Sequence, residues 1–333
     1  MRVMIMAAGL GTRLRPLTEH LPKPIAPVGN RPCVDYLLRR VAAAGATGAV
    51  MNLHYHPQTI IDTIGDGTAY GLPIEYSIEE ELLGTAGGTR RCRDFLTAED
   101  DVFLVTSGDG LHTIDLAALA VAHRASGALA TITVKRVEDV TGFGVVVTEA
   151  DERITSFQEK PAPADALSDL VNVGVYCFSA AIFDEIPSVG QSDFGSEILP
   201  RLVAAGADVR AWTTDAYWSD IGSLEELLAT NLAIASGAVD VDPAGDLIMD
   251  SDCGLPNVSP DSVIAGPVLI GEGAEIRSGA TIIGPAVIGP RAVIDQGAVV
   301  EHALVLPEAE IDADSPASGI LGAVENLDGV WLR

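Results

Sequence analysis

The apolar positions of this chain follow two rules, one up to about residue 236 and another beyond residue 257. In the first stretch, short apolar runs alternate with segments of helical spacing. Arg2–Met6 is an apolar run that ends in a glycine-rich loop, and Pro32 opens a helical stretch over residues 33–44 that Gly45 closes. Runs at 49–53 and 102–106 predict buried strands, followed by a helix over 115–126 and a strand over 129–134. Further strands are expected at 154–158 and 173–178, and Ser223 with Glu226 makes a capping box for a helix running to about Ser236. Such alternation implies an α/β domain with a largely parallel sheet, whose ligands sit at the C-terminal ends of strands.

From Val258 the period becomes six. Val258, Ile264, Ile270, Ile276, Ile282, Ile288, Ile294 and Val300 share one register, and Val268, Ala274, Ala280, Ala286, Ala292 and Ala298 fill a second. Neither a helix nor a simple strand has that period. A hexapeptide solenoid does, with one aliphatic residue per short strand pointing inward and a triangular coil completed every three repeats. The expected organisation is a first domain over residues 1–236, a linker rich in Asp, Gly and Pro over 237–256, the solenoid over 257–308, and a tail or cap over 309–333.

Composition narrows the chemistry. The 333 residues are 48% apolar, enough for two cores, and no apolar run reaches the roughly 18 to 20 residues of a membrane span. No basic region with a cleavage site opens the chain, so a cytoplasmic protein with no membrane partner is expected. Cys33, Cys92, Cys177 and Cys253 lack C-x-x-C spacing, which argues for buried small apolar residues rather than zinc ligands or disulfides. The net charge of −27 argues against a nucleic-acid partner, and it means that any phosphate site must be built locally from a few cations, backbone N–H groups and metal. Lysine is scarce: of 20 basic residues only Lys23, Lys135 and Lys160 are lysine. Lys23 and Lys160 each precede a proline, which biases both toward an extended backbone and suits a compact ammonium held against a phosphate oxygen. The acidic, lysine-poor balance fits either a salt-rich or a GC-rich host.

The loop after the first strand carries Ala7, Gly9, Gly11, Thr12, Arg13 and Arg15. Its glycines let backbone N–H groups approach an anion, and the two arginines add charge beside them. A dinucleotide fingerprint is the rival reading; it fails because Leu14 stands at the third glycine position and because two arginines suit a triphosphate better. Followed by Leu21-Pro22-Lys23-Pro24, the loop resembles the signature of the NDP-sugar pyrophosphorylases, the sugar-1-phosphate nucleotidyltransferases. Further motifs follow in the family's order: Gly84-Thr85-Ala86-Gly87-Gly88, Ser107-Gly108-Asp109, Phe143-Gly144, Glu159-Lys160-Pro161, Asn172-Val173-Gly174, and Tyr217 through Gly222.

The resemblance implies a Rossmann-like α/β catalytic domain with a mixed, mostly parallel sheet, followed by a small left-handed parallel β-helix, an arrangement similar to mannose-1-phosphate guanylyltransferases. It implies transfer of a nucleotidyl group from an NTP to a sugar-1-phosphate with Mg²⁺. Arg13, Lys23 and Lys160 are then the catalytic cations. Ala7, Gly9, Gly11, Thr12, Arg13, Lys23, Thr85, Ala86 and Gly87 bind the nucleotide. Asp109, Gly144, Glu159, Lys160 and Asn172 bind the sugar phosphate, while Asp109 and Asp220 hold the metal. Bringing two anions together requires neutralised charge and in-line positioning rather than a protein nucleophile, which is what these residue types offer. Ser107 and Val173 depart from the Asn and Ala common in the family and leave the sugar open. Leu83 through Gly87 looks more like the guanylyl than the thymidylyl branch, so GTP with mannose-1-phosphate leads, with glucose-1-phosphate thymidylyl or uridylyl transfer as the alternative. A solenoid acyltransferase, offering only His302 as a base, and a non-catalytic regulatory paralogue are the other classes. The solenoid's flat apolar faces imply a homo-oligomer. His54 and His56 read as structural residues, and Trp212 and Trp218 as packing.

Overall fold

The computed structural model describes residues 1–250 and 254–327. Cys253 and the last six residues of the expected cap lie outside the described residues. Strands β1 (Arg2–Met6), β2 (Gly48–Leu53), β3 (Ile74–Ile78) and β4 (Val102–Ser107) form a parallel block in the order β3-β2-β1-β4. Val3, Met4 and Ile5 of β1 are fully buried, as a central parallel strand covered on both faces requires. The chain runs outward from β1 through β2 and β3, then returns to the other side of β1 as β4. That reversal opens a crevice beyond the C-terminal ends of β1 and β4.

The rest of the sheet is β5 (Ala130–Arg136), β6 (Gly144–Thr148), β7 (Ile154–Glu159), β8 (Leu170–Ser179) and β9 (Val209–Thr213). β8 runs antiparallel to both β4 and β5, β9 runs parallel to β5, and the β6–β7 hairpin joins β8 where Val145 pairs with Val171. The sheet is therefore mixed. The antiparallel strand has a functional consequence: Val175 pairs with Thr106, so the early residues of β8, Asn172 and Gly174, extend past the end of β4 and border the same crevice.

Helices α1 (Cys33–Ala43), α2 (Gly84–Arg91), α3 (Leu116–Ser126) and α4 (Leu224–Ala235) cover the sheet or join it to the second domain. The Asp115 carboxylate caps α3 by accepting the Ala118 N–H at 2.9 Å. At α4, Ser223 Oγ accepts the Glu226 N–H, but the Glu226 carboxylate reaches back to the Gly222 N–H rather than to that of Ser223, so the capping box closes one residue early. α2 was not expected from its glycine-rich sequence, which has poor helix propensity. Tertiary contacts supply what propensity lacks: the Ala86 and Gly87 N–H groups both donate to the Ser192 carbonyl at 3.1 Å, and Ser192 N–H donates to Leu83 O at 2.9 Å. Gly88 is required for packing, because a Cβ there would lie 2.6 Å from Glu79 Oε1 and 2.8 Å from Asn52 Nδ2.

The C-terminal domain is a parallel β-helix. Val263 pairs with Thr281 and Thr281 with Val299, Val268 pairs with Ala286, and Glu275 pairs with Val293, each eighteen residues on, so one coil takes three hexapeptides. All eight aliphatic residues of the first register are buried, as are the six small residues of the second. Two boundaries differ from expectation. The segment expected as a linker contains the strand Asp246–Asp250, which pairs antiparallel with Val263–Ile270; its Leu247, Ile248 and Met249 are hidden in sequence among Asp and Gly. At the other end the ladder continues past Glu308 through Glu310–Ile311 to Gly319–Leu321. The six-residue count breaks there because the coils tighten: Val287 pairs with Leu304, seventeen residues on, and Ala303 with Gly319, sixteen on. The short turn Val324–Leu327 then lies against Leu17–His20 of the first domain, with Leu327 buried.

The two domains share one apolar cluster, in which Leu17, Ile25, Leu227 and Ile234 meet Ile270, Ile288 and Leu304. Buried amides brace the same junction, Asn231 from within the first domain and Asn30 across it. Asn231 Oδ1 accepts the Gly29 N–H at 2.8 Å while its Nδ2 donates to Pro27 O and Leu227 O, and Asn30 Nδ2 donates to Ile288 O. Asn231→Leu would leave the Gly29 N–H and the Pro27 carbonyl buried and unpaired, at a cost of about 2 to 3 kcal/mol; a lowered urea midpoint with an unchanged m-value checks this.

Candidate active site

Two adjoining cavities occupy the crevice and share Thr85, Ser107, Asp109 and Asp193. One half is lined by Met6, Ala8, Gly9, Asn52, Glu79 and Gly84, the other by Gly144, Glu159, Lys160, Asn172, Trp218 and Asp220. The cleft thus has room for two ligands meeting at Asp109.

Asp109 and Asp220 lie far apart in sequence, and a two-residue ladder brings them together. Leu111–His112 pairs antiparallel with Trp218–Ser219, in the register Trp218 to His112 and Ser219 to Leu111. One further step places Asp220 beside Gly110. Only glycine fits at that position, since a Cβ would sit 2.7 Å from Ser219 O and 3.3 Å from Asp220 Cα. Lys23, 6% exposed, reaches the same point: its Nζ donates to Asp109 Oδ2 at 2.9 Å and to the Asp220 main-chain oxygen at 2.7 Å. Ser107 Oγ donates to the other oxygen of Asp109. The exposed Arg13 guanidinium is 3.7 Å from Asp220 Oδ2, with Gly222 leaving space for it.

The backbone at two of these cations differs from the extended form that the following prolines suggest. Lys23 opens the 3₁₀ turn Lys23–Ile25, in which Ala26 N–H donates to Lys23 O, and Lys160 has φ +47. Tertiary structure overrides the local bias in both cases. Lys160, exposed and 3.5 Å from Glu159 Oε1, and Ile221, a β-branched residue at φ +46 next to Asp220, hold left-handed conformations that cost of order 1 to 3 kcal/mol each. Lys160 lines the cleft and Ile221 directly follows Asp220, which lines it too, and such strain is concentrated where side chains must be aimed. Lys135, the third lysine, donates to the carbonyls of Asp215 and Ala216 and so anchors the segment leading to Tyr217.

In the signature loop, among the described residues no protein acceptor meets the N–H groups of Gly9, Gly11, Thr12 or Arg13, and Gly11 turns the chain at φ +61. The Ala7 N–H, by contrast, is taken by Asn52 Oδ1 at 2.9 Å. Thr85 lines both halves of the cleft, but the structure does not bring Ala86 and Gly87 into it: Ala86 is fully buried, and the N–H groups of both are bound to Ser192. Gly144, Glu159 and Asn172 line the second half. A Cβ on Gly144 would lie 3.3 Å from Glu159 Oε2, and Asn172 is held by donating to Tyr176 OH at 2.8 Å and accepting from Gly174 N–H at 3.0 Å.

Three residues have a place that sequence reasoning did not give them. Trp218, read as packing, lines the cleft edge-on to Phe143, with ring centroids 5.0 Å apart. Glu79, buried at the end of β3, accepts from Asn52 Nδ2 at 2.8 Å and from Leu83 N–H at 2.9 Å; in sequence it is lost in the acidic run of Glu79, Glu80 and Glu81. Asp193 borders both halves and accepts from Thr85 Oγ1 at 2.7 Å and from the N–H groups of Gly195 and Ser196. Burial pushes its carboxyl pKa up, but these hydrogen bonds outweigh burial and hold it below the ordinary value. The only signal for it in sequence is an Asp three residues before a Ser and Glu, which reads as a helix cap. His54 has a structural role, its Nδ1 lying 2.9 Å from Glu79 O.

The sequence pattern of the Nucleotidyl transferase family matches residues 2–237. The chain belongs to that family. A UTP–glucose-1-phosphate uridylyltransferase from Synechocystis is 38% identical over 237 residues, covering 68% of this chain and 61% of its own length. A mannose-1-phosphate guanylyltransferase from Mycobacterium tuberculosis is 34% identical over 285 residues, covering 84% of this chain and 77% of its own. This chain therefore spans less than two thirds of the cyanobacterial relative and more of the mycobacterial one. Among solved structures, a protein from Bacillus anthracis described as a glucose-1-phosphate thymidylyltransferase superposes with TM-score 0.64 at 22% identity, over 73% of this chain and 96% of its own, a likeness of fold. HddC from Yersinia pseudotuberculosis, complexed with GMP-PN, gives TM-score 0.58 at 25% identity, over 69% and 97%.

Burial lowers the imidazole pKa of His112, which lines the cleft, to about 4, and that of His123, on the buried side of α3, also to about 4. Both values lie below the ordinary 6.5, so between these limits the unfolded chain binds protons that the native chain refuses. Their contribution to stability is complete above pH 6.5 and is lost as pH falls toward 4. Urea unfolding from about pH 7.5 to about pH 4.5 should show stability falling with acid, with His123→Gln removing one proton's worth of the slope.

Proposed function

We propose that this protein transfers the nucleotidyl group of GTP to mannose-1-phosphate, releasing pyrophosphate and forming GDP-mannose. The observation that carries the reading is the meeting of Lys23, Asp109, Asp220 and Arg13 where the two halves of the cleft join. An oxygen of the sugar phosphate attacks the α-phosphorus, a P–O bond forms, and the bond to the leaving pyrophosphate breaks. Both partners are anions, so the protein's task is to neutralise charge and hold them in line. Gly9 lines the first half, and the open N–H groups of the loop from Gly9 to Arg13 suit the triphosphate, with Arg13 and Lys23 stabilising the departing pyrophosphate. Lys160, at its strained position, reaches the sugar phosphate, while Glu159 and Asn172 hydrogen-bond sugar hydroxyls and Gly144 allows the ring close approach.

Asp109 and Asp220 fit Mg²⁺ by their chemistry, since this ion takes one or two carboxylates and completes its shell with water and substrate phosphate rather than a larger protein cage. When bound there it would neutralise phosphate charge and polarise the α-phosphate. Among the described residues no group of three or more His, Cys, Asp or Glu forms such a cage.

Two observations favour guanine. The buried Glu79 carboxylate lines the first half, and each of its oxygens, with one protein donor apiece, keeps a lone pair for the N–H donors of a guanine edge. The mycobacterial guanylyltransferase also aligns over more of this chain than residues 2–237 contain, so the likeness runs into the β-helix. Glucose-1-phosphate uridylyl transfer is the second reading, favoured by the 38% identity to the cyanobacterial enzyme. Pyrophosphate release across several NTPs and sugar-1-phosphates tests both. The expected result is turnover of GTP with mannose-1-phosphate, abolished by Asp109→Asn and reduced about 10²- to 10³-fold by Lys160→Met. Turnover of another pair would correct the substrate; silence across the grid would leave a non-catalytic role.

The β-helix serves as an oligomerisation face in this reading. Val263, Thr281 and Val299 stack outward on successive coils, with Val263 53% and Val299 38% exposed. A solution mass above the 34.6 kDa monomer is expected, and a monomer alone would remove the idea.

A further inference from the structure

Both oxygens of Asp109 are engaged by the protein itself. Ser107 Oγ donates to Oδ1, and the buried Lys23 ammonium sits 2.9 Å from Oδ2 while also binding the Asp220 main-chain oxygen at 2.7 Å. A divalent cation arriving at Asp109 would have to share Oδ2 with an ammonium already in contact with it, two positive charges within a few ångströms in a partly buried place. Lys23 cannot simply retreat to water. It is 6% exposed, and a buried ammonium separated from its partners is strongly disfavoured. What can move it is another anion. An ammonium has three donors, and only two are used here, so the third is available to a phosphate oxygen arriving from the Gly9 to Arg13 side.

We infer that in the free protein the Lys23 ammonium holds the place of the metal at Asp109, so that a divalent cation is admitted only as nucleotide phosphates draw the lysine away. The inference rests on the reading of Asp109 and Asp220 as the metal-holding pair. It gives one residue two successive tasks: counter-ion to the Asp109 carboxylate, then clamp on the triphosphate. It also makes metal entry conditional on nucleotide entry, so the free protein does not carry a bound cation that misaligned phosphates could meet.

The test is Mn²⁺ binding to the full chain without any nucleotide, followed by loss of the free-ion electron paramagnetic resonance signal. Wild type should bind weakly. Lys23→Met should bind one Mn²⁺ at least about tenfold more tightly, an effect in the usual range for two ligands competing through one site. Adding Asp109→Asn to that variant should return binding to the wild-type level. Arg13→Gln removes the same unit of charge from an exposed side chain beside Asp220, and it should shift affinity by less than about threefold, because exposed charge is screened. Lys23→Gln, which keeps a polar group in the buried position, gives the same measurement should the Met variant fail to fold. Equal binding by wild type and Lys23→Met, or equal tightening by Arg13→Gln, would overturn the inference. Tight Asp109-dependent binding by wild type would overturn it too while leaving the metal reading intact. Tight binding by Lys23→Met that ignores Asp109→Asn would overturn both.

Discussion

The buried contact of Lys23 with Asp109 and the Asp220 carbonyl is the constraint around which the catalytic domain is arranged. Each partner arrives by a different route: Lys23 from the segment after β1, Asp109 from the end of β4, and Asp220 from the short ladder that precedes α4. Breaking a fully buried ion pair by deleting one member costs about 3 to 5 kcal/mol; this one, with the Asp109 side chain 30% exposed, lies toward the lower end. That is enough to fix three loops relative to one another, yet weak enough for an incoming phosphate to compete. The second domain acts on the same segment from outside. The turn Val324–Leu327 packs on Leu17–His20, and Asn231 and Asn30 tie residues 27–30 to α4 and the β-helix, so Lys23 lies between two points that the C-terminal domain holds.

What the sequence made legible follows from how local each cause is. The six-residue period is local and redundant, and it marked every inward aliphatic position from Val258 to Val300. It stopped being legible at Glu308 because the coils shorten to seventeen and sixteen residues, a change that keeps the stacking while destroying the count. In the catalytic domain the strands with continuous apolar runs, such as Arg2–Met6, were legible for the same reason. α2 was not, because its stability comes from Ser192 more than a hundred residues away and from the absence of side chains at Gly87 and Gly88.

The site divides along the same line. Residues in short, chemically unusual words, Lys23 before Pro24 or Asp109 after Gly108, could be named from sequence, and the structure brings Lys23, Asp109, Asp220 and Arg13 to one point. Ala86 and Gly87 were named by the same logic and lie outside the cleft, since a motif records that glycine is needed without recording whether a ligand or a neighbouring loop needs it. Glu79 and Asp193 went unnamed because a carboxylate in a chain with 47 acidic residues carries no signal until burial singles it out.

The same surplus of acid explains why burial matters so much here. With a net charge of −27, the far field repels every nucleotide and sugar phosphate that approaches, so long-range steering cannot assist binding. At physiological ionic strength that field decays over about 8 Å. Inside that distance, a few cations in a partly dehydrated cleft interact several times more strongly than they would in water. The chain meets the requirement with geometry rather than number: one buried ammonium, one exposed guanidinium aimed past Gly222, one lysine on a strained backbone, and a loop of open N–H groups. A more basic surface would attract phosphates faster but would not tell the site from the rest of the protein. On an acidic surface, Lys23, Lys160, Arg13 and the open N–H groups gathered at one cleft make that distinction, even though carboxylates such as Asp109, Asp193 and Asp220 line it too.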